Sequence, residues 1–426
     1  MYKSIINKIQ KLEQYPLFLY LSKWLTLSAI IGALIGCASA FFLITLQWAT
    51  DYRESNVWII SLLPIGGLII GLMYYYFGEN VVHGNNQILD ELYEPKKRIP
   101  FKMAPLVFLG TIITHLFGGS AGREGTAVQM GAAISDQFTH ILKLTNRDRQ
   151  TILILGISAG FASVFGTPIA GAIFALEVMV IGKIKYEAIL PSILVAVIAN
   201  YVCNIFPVHH THYLIALVPQ ITYSTILWAI LAGLIFGITA IAFTKSVSFW
   251  NSLFAKFIKY APFRPLIGGI ILALTIWLIG STKYIGLGIP TIQEAFTSDL
   301  PSYDFLIKIL FTTFTLGAGF KGGEVTPLFF IGATLGNALV WFIPLPVSLL
   351  AGMGFVAVFA GATNTPIACT FMGIELFGIE GGIFIALACI TSYFFSGHTG
   401  IYSSQVIGSP KHAVYASKKG TRIKKL

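Results

Sequence analysis

The chain is built of long apolar runs, with its polar residues gathered between them. The first run, from about Pro16 to Thr50, predicts a helix longer than a bilayer requires and therefore a tilted one. Ahead of it, Ile5 to Gln14 mixes lysines with aliphatic residues as an amphipathic surface segment. Val57 to Phe77 predicts an ordinary span. The runs then shorten: Met103 to Phe117, Gly122 to Phe138, Ile152 to Phe165, Thr167 to Ile181 and Glu187 to Phe206. Short hydrophobic segments interrupted by glycine point to broken helices whose ends meet near the membrane midplane. Beyond the polar stretch Pro207 to Gln220 the order restarts, with a long helix over Ser224 to Phe257 and a shorter one over Pro265 to Ile279.

The restart is a duplication. Gly160-Phe161-Ala162-Ser163-Val164-Phe165, then Thr167-Pro168-Ile169-Ala170 and Glu177, mirrors Gly354-Phe355-Val356-Ala357-Val358-Phe359, then Thr365-Pro366-Ile367-Ala368 and Glu375. Proline and glutamate are nine residues apart in both. Gly131-Ala132-Ala133 after Glu124 matches Gly332-Ala333-Thr334 after Thr326, and Gly84-Asn85-Asn86-Gln87 matches Gly286-Leu287-Gly288-Ile289-Pro290. Three matches in order make two copies of one unit. The expected organisation is an N-terminal segment (1–15), a first transmembrane repeat (16–206), a connecting loop (207–223), a second repeat (224–410) and a basic tail (411–426). An odd number of spans per repeat would force the second copy to be inverted in the membrane.

Composition fixes the class as an all-α integral membrane protein. Of 426 residues, 55% are apolar and 11% charged, far below the charge of a soluble domain. The absence of alternating ten-residue segments argues against a transmembrane β-barrel. The 42 glycines suit helices packed closely or broken within lipid. A net charge of +10 raises nucleic acid as a partner, but no module for it is recognisable. The cations collect at Lys3, Lys8 and Lys11, at Lys96, Lys97, Arg98 and Lys102, and from Lys411 to Lys425, the pattern of cytoplasmic ends and loops. Cys37, Cys203, Cys369 and Cys389 stand singly in apolar runs as packing residues. The histidines lack metal spacing, with His209, His210 and His212 falling in the connecting loop, and no nucleotide-binding loop is present.

Against this background Gly118-Gly119-Ser120-Ala121-Gly122-Arg123-Glu124-Gly125-Thr126 stands out. It sets a carboxylate between glycines at the start of a helical run. A bare carboxylate in a water-poor interior is costly or takes up a proton. A helix N-terminus meanwhile offers free N–H groups and partial positive charge to an anion. The stretch thus combines an anion cradle with a group that exchanges proton for charge.

At Gly122-Arg123-Glu124-Gly125 the chain resembles the CLC family of chloride channels and chloride/proton antiporters, whose GREGP reads GREGT here. The family's GSGIP appears as Gly84-Asn85-Asn86-Gln87-Ile88, its GxFxP as Gly323-Glu324-Val325-Thr326-Pro327, and its late tyrosine as Tyr402. The resemblance covers nearly the whole chain and implies the CLC-type inverted-repeat fold with broken, short and tilted helices. Asn85 stands for the chloride-coordinating serine, Val325 for the phenylalanine, Thr126 for the proline, and Glu324 is added. That combination resembles the fluoride-specific branch, the fluoride/proton antiporters. That branch lacks the internal proton-transfer glutamate, whose place falls here on Val178.

The resemblance implies a protonatable gate at Glu124. Charged, its carboxylate fills an anion site; protonated, it leaves. Substrate contacts then fall on Asn85, Gly122, Gly125, Thr126, Glu324, Val325, Thr326 and Tyr402. Several have ordinary readings beside these. Asn85 and Thr326 are good helix N-caps, and Thr326 could equally bond to a swung-in Glu124. Glu324 is tolerable protonated or paired with Lys321 or Arg123. Glu177 and Glu375, related by the repeat, read as a shared structural role such as capping or helix pairing. A membrane tyrosine such as Tyr402 is otherwise an interfacial anchor.

The expected protein is a fluoride/proton antiporter exporting fluoride across a bacterial inner membrane. It would be a homodimer with both termini cytoplasmic, taking fluoride and protons as its ions and no cofactor, metal or nucleotide. One alternative is a chloride-selective channel or exchanger. Another is a membrane enzyme using Glu124 and Glu324 as an acid/base pair, for which no nucleophile constellation is present.

Overall fold

The computed structural model describes residues 14–426. The amphipathic segment and nearly all of the expected 1–15 unit lie outside the described residues. The helices are α1 (Gln14–Ser55), α2 (Leu63–Phe77), α3 (Asn85–Tyr93), α4 (Met103–Leu116), α5 (Glu124–Ser135), α6 (Gln137–Ile141), α7 (Asn146–Phe165), α8 (Pro168–Glu177) and α9 (Ile189–Asn204) in the first half. The second half has α10 (Tyr223–Phe257), α11 (Phe263–Ile279), α12 (Ile289–Glu294), α13 (Asp304–Gly317), α14 (Val325–Leu339), α15 (Val347–Thr363), α16 (Pro366–Phe377) and α17 (Gly382–Phe395).

Among the described residues four helical stretches are long and apolar enough to cross a membrane: Leu17–Ser55, Val57–Phe77, Tyr186–Asn204 and Tyr223–Phe257. At 1.5 Å per residue α1 runs about 63 Å, twice the thickness of a hydrocarbon core, so it must tilt or project. The 12-residue α5 and α16 cover only about 18 Å each. Such helices end inside the protein, and their free termini need partners there.

The breaks are written in local chemistry. α7 ends at Gly166 in the left-handed region (φ 79°), and Pro168 then opens α8 at a position where its missing N–H costs nothing. The second half repeats the device with Asn364 (φ 60°) before Thr365-Pro366. Asparagine tolerates that backbone, and its amide is held by the Thr399 carbonyl and the Gln405 side chain. The new helix starts are capped reciprocally. Glu177 accepts from the N–H groups of Ile367 and Ala368, and Glu375 from those of Ile169 and Ala170. Each repeat therefore closes the other's helix, the arrangement expected of a local two-fold axis. This is the shared capping role read for the two glutamates.

α5, α14 and α15 form the centre. Every residue of α14 is buried, and α15 packs along it. A Cβ on Gly332 would lie 2.0 Å from the Gly354 carbonyl oxygen, so only glycine permits the crossing. The outer faces of α1, α2, α10 and α11 expose large apolar side chains, as lipid-facing helices do.

The 207–223 segment is non-helical up to Thr222, yet it is built into the protein. Ile215 is buried against Gly352, and the Ala216 N–H donates to Ser348 Oγ. The basic tail is likewise docked. β2 (Val406–Ile407) pairs in parallel with β1 (Val180–Ile181), while Arg422 and Lys424 form ion pairs with Asp90 of α3.

Candidate functional site

The starts of α5 and α14 meet head to head. The Gly122 N–H donates to the Gly323 carbonyl at 2.6 Å, and the Gly323 N–H donates to the Gly122 carbonyl at 2.8 Å. The two glycines occupy equivalent places in the repeats, so the pairing crosses the local axis itself. Two helix N-termini, each with unspent N–H groups and partial positive charge, are thereby aimed at one small region.

Glu124, the first residue of α5, is fully buried. Its carboxylate is turned onto the start of α14. It accepts from the Thr326 hydroxyl at 2.7 and 2.8 Å, from the Thr326 N–H at 3.2 Å and from the Arg123 N–H at 3.2 Å. Arg123 Nε lies 3.7 Å away without a hydrogen-bond partner. The carboxylate thus sits where the opposite repeat's helix would hold a free anion.

Gly125 stands beside two polar side chains. A Cβ there would lie 3.1 Å from Asn85 Nδ2 and 3.8 Å from Glu324 Oε2. Asn85 is the first residue of α3, and its buried Oδ1 has no partner. It is not the helix cap: Gly84 (φ 50°) holds that place and no side chain caps the helix. Nor is Thr326 a cap, because Glu324 takes that position in α14 and the Thr326 hydroxyl is given to Glu124. Val325, the first residue of α14, is buried beside it. Tyr402 is buried against Phe174 and shares with Asn85, Lys321 and Glu324 a cavity of about 170 Å³.

Of the two readings of Glu324, the ion pair is not formed, since among the described residues no cation lies within 4.0 Å of it: Lys321 Nζ stands 4.2 Å over the Tyr74 ring, and Arg123 turns to Glu124. The Thr126 hydroxyl, expected as a substrate contact, is paired with the Thr111 hydroxyl at 2.7 Å, tying α5 to α4. Gly122 contributes through its backbone alone, its N–H already spent on Gly323.

On the far side of Glu124 a neck of about 10 Å³ is lined by Arg123, Glu124, Thr211, Tyr213, Ile289 and Thr326. Beyond it lies a vestibule of about 910 Å³ that shares Arg123, Thr211 and Ile289 and adds Arg53 and Lys283. Tyr213 was missed in the sequence because it lies in a stretch read as a connector. Its signal is positional: it follows the last helix of the first repeat much as Tyr402 follows the last helix of the second. Among the described residues no group of His, Cys, Asp or Glu could hold a metal ion.

Residues 66–397 match the profile of a family described as "Voltage gated chloride channel". A "Chloride/fluoride channel protein" of Pseudomonas syringae pv. tomato is 49% identical over 413 residues, covering 96% of this chain and 91% of its own. An "H(+)/Cl(-) exchange transporter ClcA" of Vibrio cholerae is 26% identical over 407 residues, covering 88% and 85%. The crystal structure of a "CLC-type fluoride/proton antiporter" superposes with a TM-score of 0.88 at 36% identity, over 91% of this chain and 98% of that one. A "slow cyanobacterial Cl-/H+ antiporter" shares the fold, with a TM-score of 0.76 at 19% identity over 89% and 96%.

Proposed function

The chain belongs to the voltage-gated chloride channel (CLC) family, and from that premise we propose that it is a fluoride/proton antiporter in which Glu124 is the proton-coupled gate. One observation carries the reading. The buried Glu124 carboxylate occupies an anion's place, bonded by the hydroxyl and N–H of Thr326 at a helix N-terminus. Proton uptake neutralises it and weakens its hold there, so the place opens to fluoride. Loss of the proton returns the carboxylate and expels the ion. One side chain alternates between the two, which is the requirement for exchange.

Fluoride over chloride is supported by the neighbours. Fluoride is small and tightly hydrated, and stripping its water demands replacement donors. The Asn85 amide beside Gly125 supplies two N–H donors. The likeness to a chloride/fluoride channel protein and to a fluoride/proton antiporter supports the same ion. The mouth bearing Asn85 and Tyr402 opens to the cytoplasm in this reading, because Arg422 and Lys424 of the basic tail dock on α3 and the positive-inside bias then applies. Both termini lie on that side of a bacterial inner membrane. Family likeness supports a homodimer with one pathway per subunit.

Glu124→Gln tests the gate, since an amide cannot take up and release the coupling proton. In vesicles loaded with fluoride, the variant should lose proton uptake and slow fluoride efflux; unaltered proton-coupled exchange would refute the gate. Chloride efflux from wild-type vesicles as fast as fluoride efflux would select the chloride reading instead.

A further inference from the structure

The neck between Glu124 and the vestibule has no assigned residue, although it shares Arg123, Thr211 and Ile289 with the vestibule and touches the Glu124 carboxylate. Its volume of about 10 Å³ is close to the least that holds a single water molecule. An ion the size of water fits there only after shedding its shell. The wall must then supply donors in place of that shell, and the neck's polar residues are Arg123, Glu124, Thr211, Tyr213 and Thr326. Glu124 repels an anion, and the Thr326 hydroxyl is engaged by Glu124 itself. Arg123 Nε and the Tyr213 phenol proton remain, the Thr211 hydroxyl being turned onto the phenol oxygen.

Tyr213 is held as a fixed element and not as part of a loose loop. Its ring stacks on Phe296 with centroids 5.5 Å apart and meets Phe355 and Phe377 edge-on at 5.2 and 6.2 Å. Phe355 in turn stacks on Phe329 of α14 at 4.1 Å, and Phe329 lines the neck as well. The chain on either side is pinned by His210 packed against Gly166 and by Ile215 packed against Gly352. Tyr402 stands in the matching relation to the other mouth: beyond the last helix of its repeat, against Phe174, lining the cavity that also holds Asn85.

We propose that Tyr213 is an ion-binding gate residue on the vestibule side, the counterpart of Tyr402 on the other mouth. It donates its hydroxyl to fluoride in the neck while Arg123 supplies the charge. This rests on the fluoride-exchange reading. It adds a second tyrosine at the exit, where the ion meets water again under Arg53, Arg123 and Lys283.

The test is Tyr213→Phe, which keeps the ring and its stacking and deletes only the donor, with Tyr213→Ala beside it. Both are reconstituted as full-length protein in vesicles with one orientation selected, and fluoride flux is titrated from each face. A lost hydrogen bond to an anion predicts turnover lowered about tenfold or more in the Phe variant. The apparent KM for fluoride should rise at the vestibule face and hold at the Asn85 face. The Ala variant should pass fluoride with fewer protons per ion. Tyr402→Phe should shift KM at the Asn85 face instead. Wild-type flux with wild-type KM at both faces of Tyr213→Phe would overturn the gate alone. Absence of fluoride flux in the wild type would overturn the exchange reading and the gate together.

Discussion

The Thr326 hydroxyl is the strongest hold on the seated Glu124 carboxylate, and removing it has a calculable effect. Its single proton is shared between the two carboxylate oxygens at 2.7 and 2.8 Å, while the Thr326 and Arg123 N–H groups lie at 3.2 Å. Thr326→Val keeps the side chain's shape and leaves both N–H groups in place. A hydrogen bond to a charged group contributes about 1.5–3 kcal/mol. At 1.36 kcal/mol per decade, the seated position should lose roughly 10- to 150-fold in population relative to the displaced one. Because the carboxylate competes with the ion for that place, fluoride should bind at lower concentration while coupling loosens. The assay records fluoride efflux and proton uptake from one vesicle suspension held at a set potential. The variant should show a lower apparent KM for fluoride and fewer protons per fluoride, and Thr326→Ser should restore both. Wild-type values of both in Thr326→Val would refute the competition between carboxylate and ion.

Other perturbations reach separate parts of the argument. Asn85→Ser should relax selectivity toward chloride in paired efflux assays, and an unchanged fluoride preference would move the filter elsewhere. Glu177→Ala and Glu375→Ala each strand two N–H groups at a helix start, so each should cost about 1–2 kcal/mol and lower the thermal midpoint in detergent; an unmoved midpoint in both would remove the capping role. His398, in the turn that carries the tail, has its imidazole pushed down to about 4 by burial and by Lys411 and Lys418. The folded chain thus keeps it neutral, and its contribution is complete above pH 6.5 and is lost as pH falls toward 4. His398→Gln should flatten that part of a stability-against-pH curve measured from pH 7 to 5, and an identical curve would exclude the residue.

The parts legible in the sequence are those that repeat or punctuate. The apolar runs foretold the helices, and the doubled Thr-Pro starts with their glutamates foretold the caps. The apolar run from Ile152 nonetheless misses the true start of its helix. α7 begins at Asn146, because Thr145 caps it through the Asp148 N–H and polar residues fill its first turn. Side-chain direction was the harder quantity. Thr126 sits two residues from Glu124, yet helical geometry turns it onto Thr111 of the neighbouring helix. Lys321 precedes Glu324 by three residues, but a turn through Gly322 (φ 156°) separates them and sends the ammonium to Tyr74. Tyr213 carried no motif at all. It acquires its place only when a non-helical segment is laid against Gly166 and Gly352, a tertiary event that no local pattern encodes.

The mutual bridge between Gly122 and Gly323 bears on how a two-way machine acquires a direction. A perfect duplicate folded about such an axis would read the same from either side of the membrane, and nothing in it could distinguish import from export. Here the palindrome is broken beside its centre: Arg123 of one half corresponds to Glu324 of the other, and Glu124 corresponds to Val325. Ionisable groups that differ between the two halves beside that centre make the two faces inequivalent to a proton. Under the exchange reading proposed for this chain, its coupling to protons rests on that divergence, and Glu124→Val, which makes the second pair alike, should erase it.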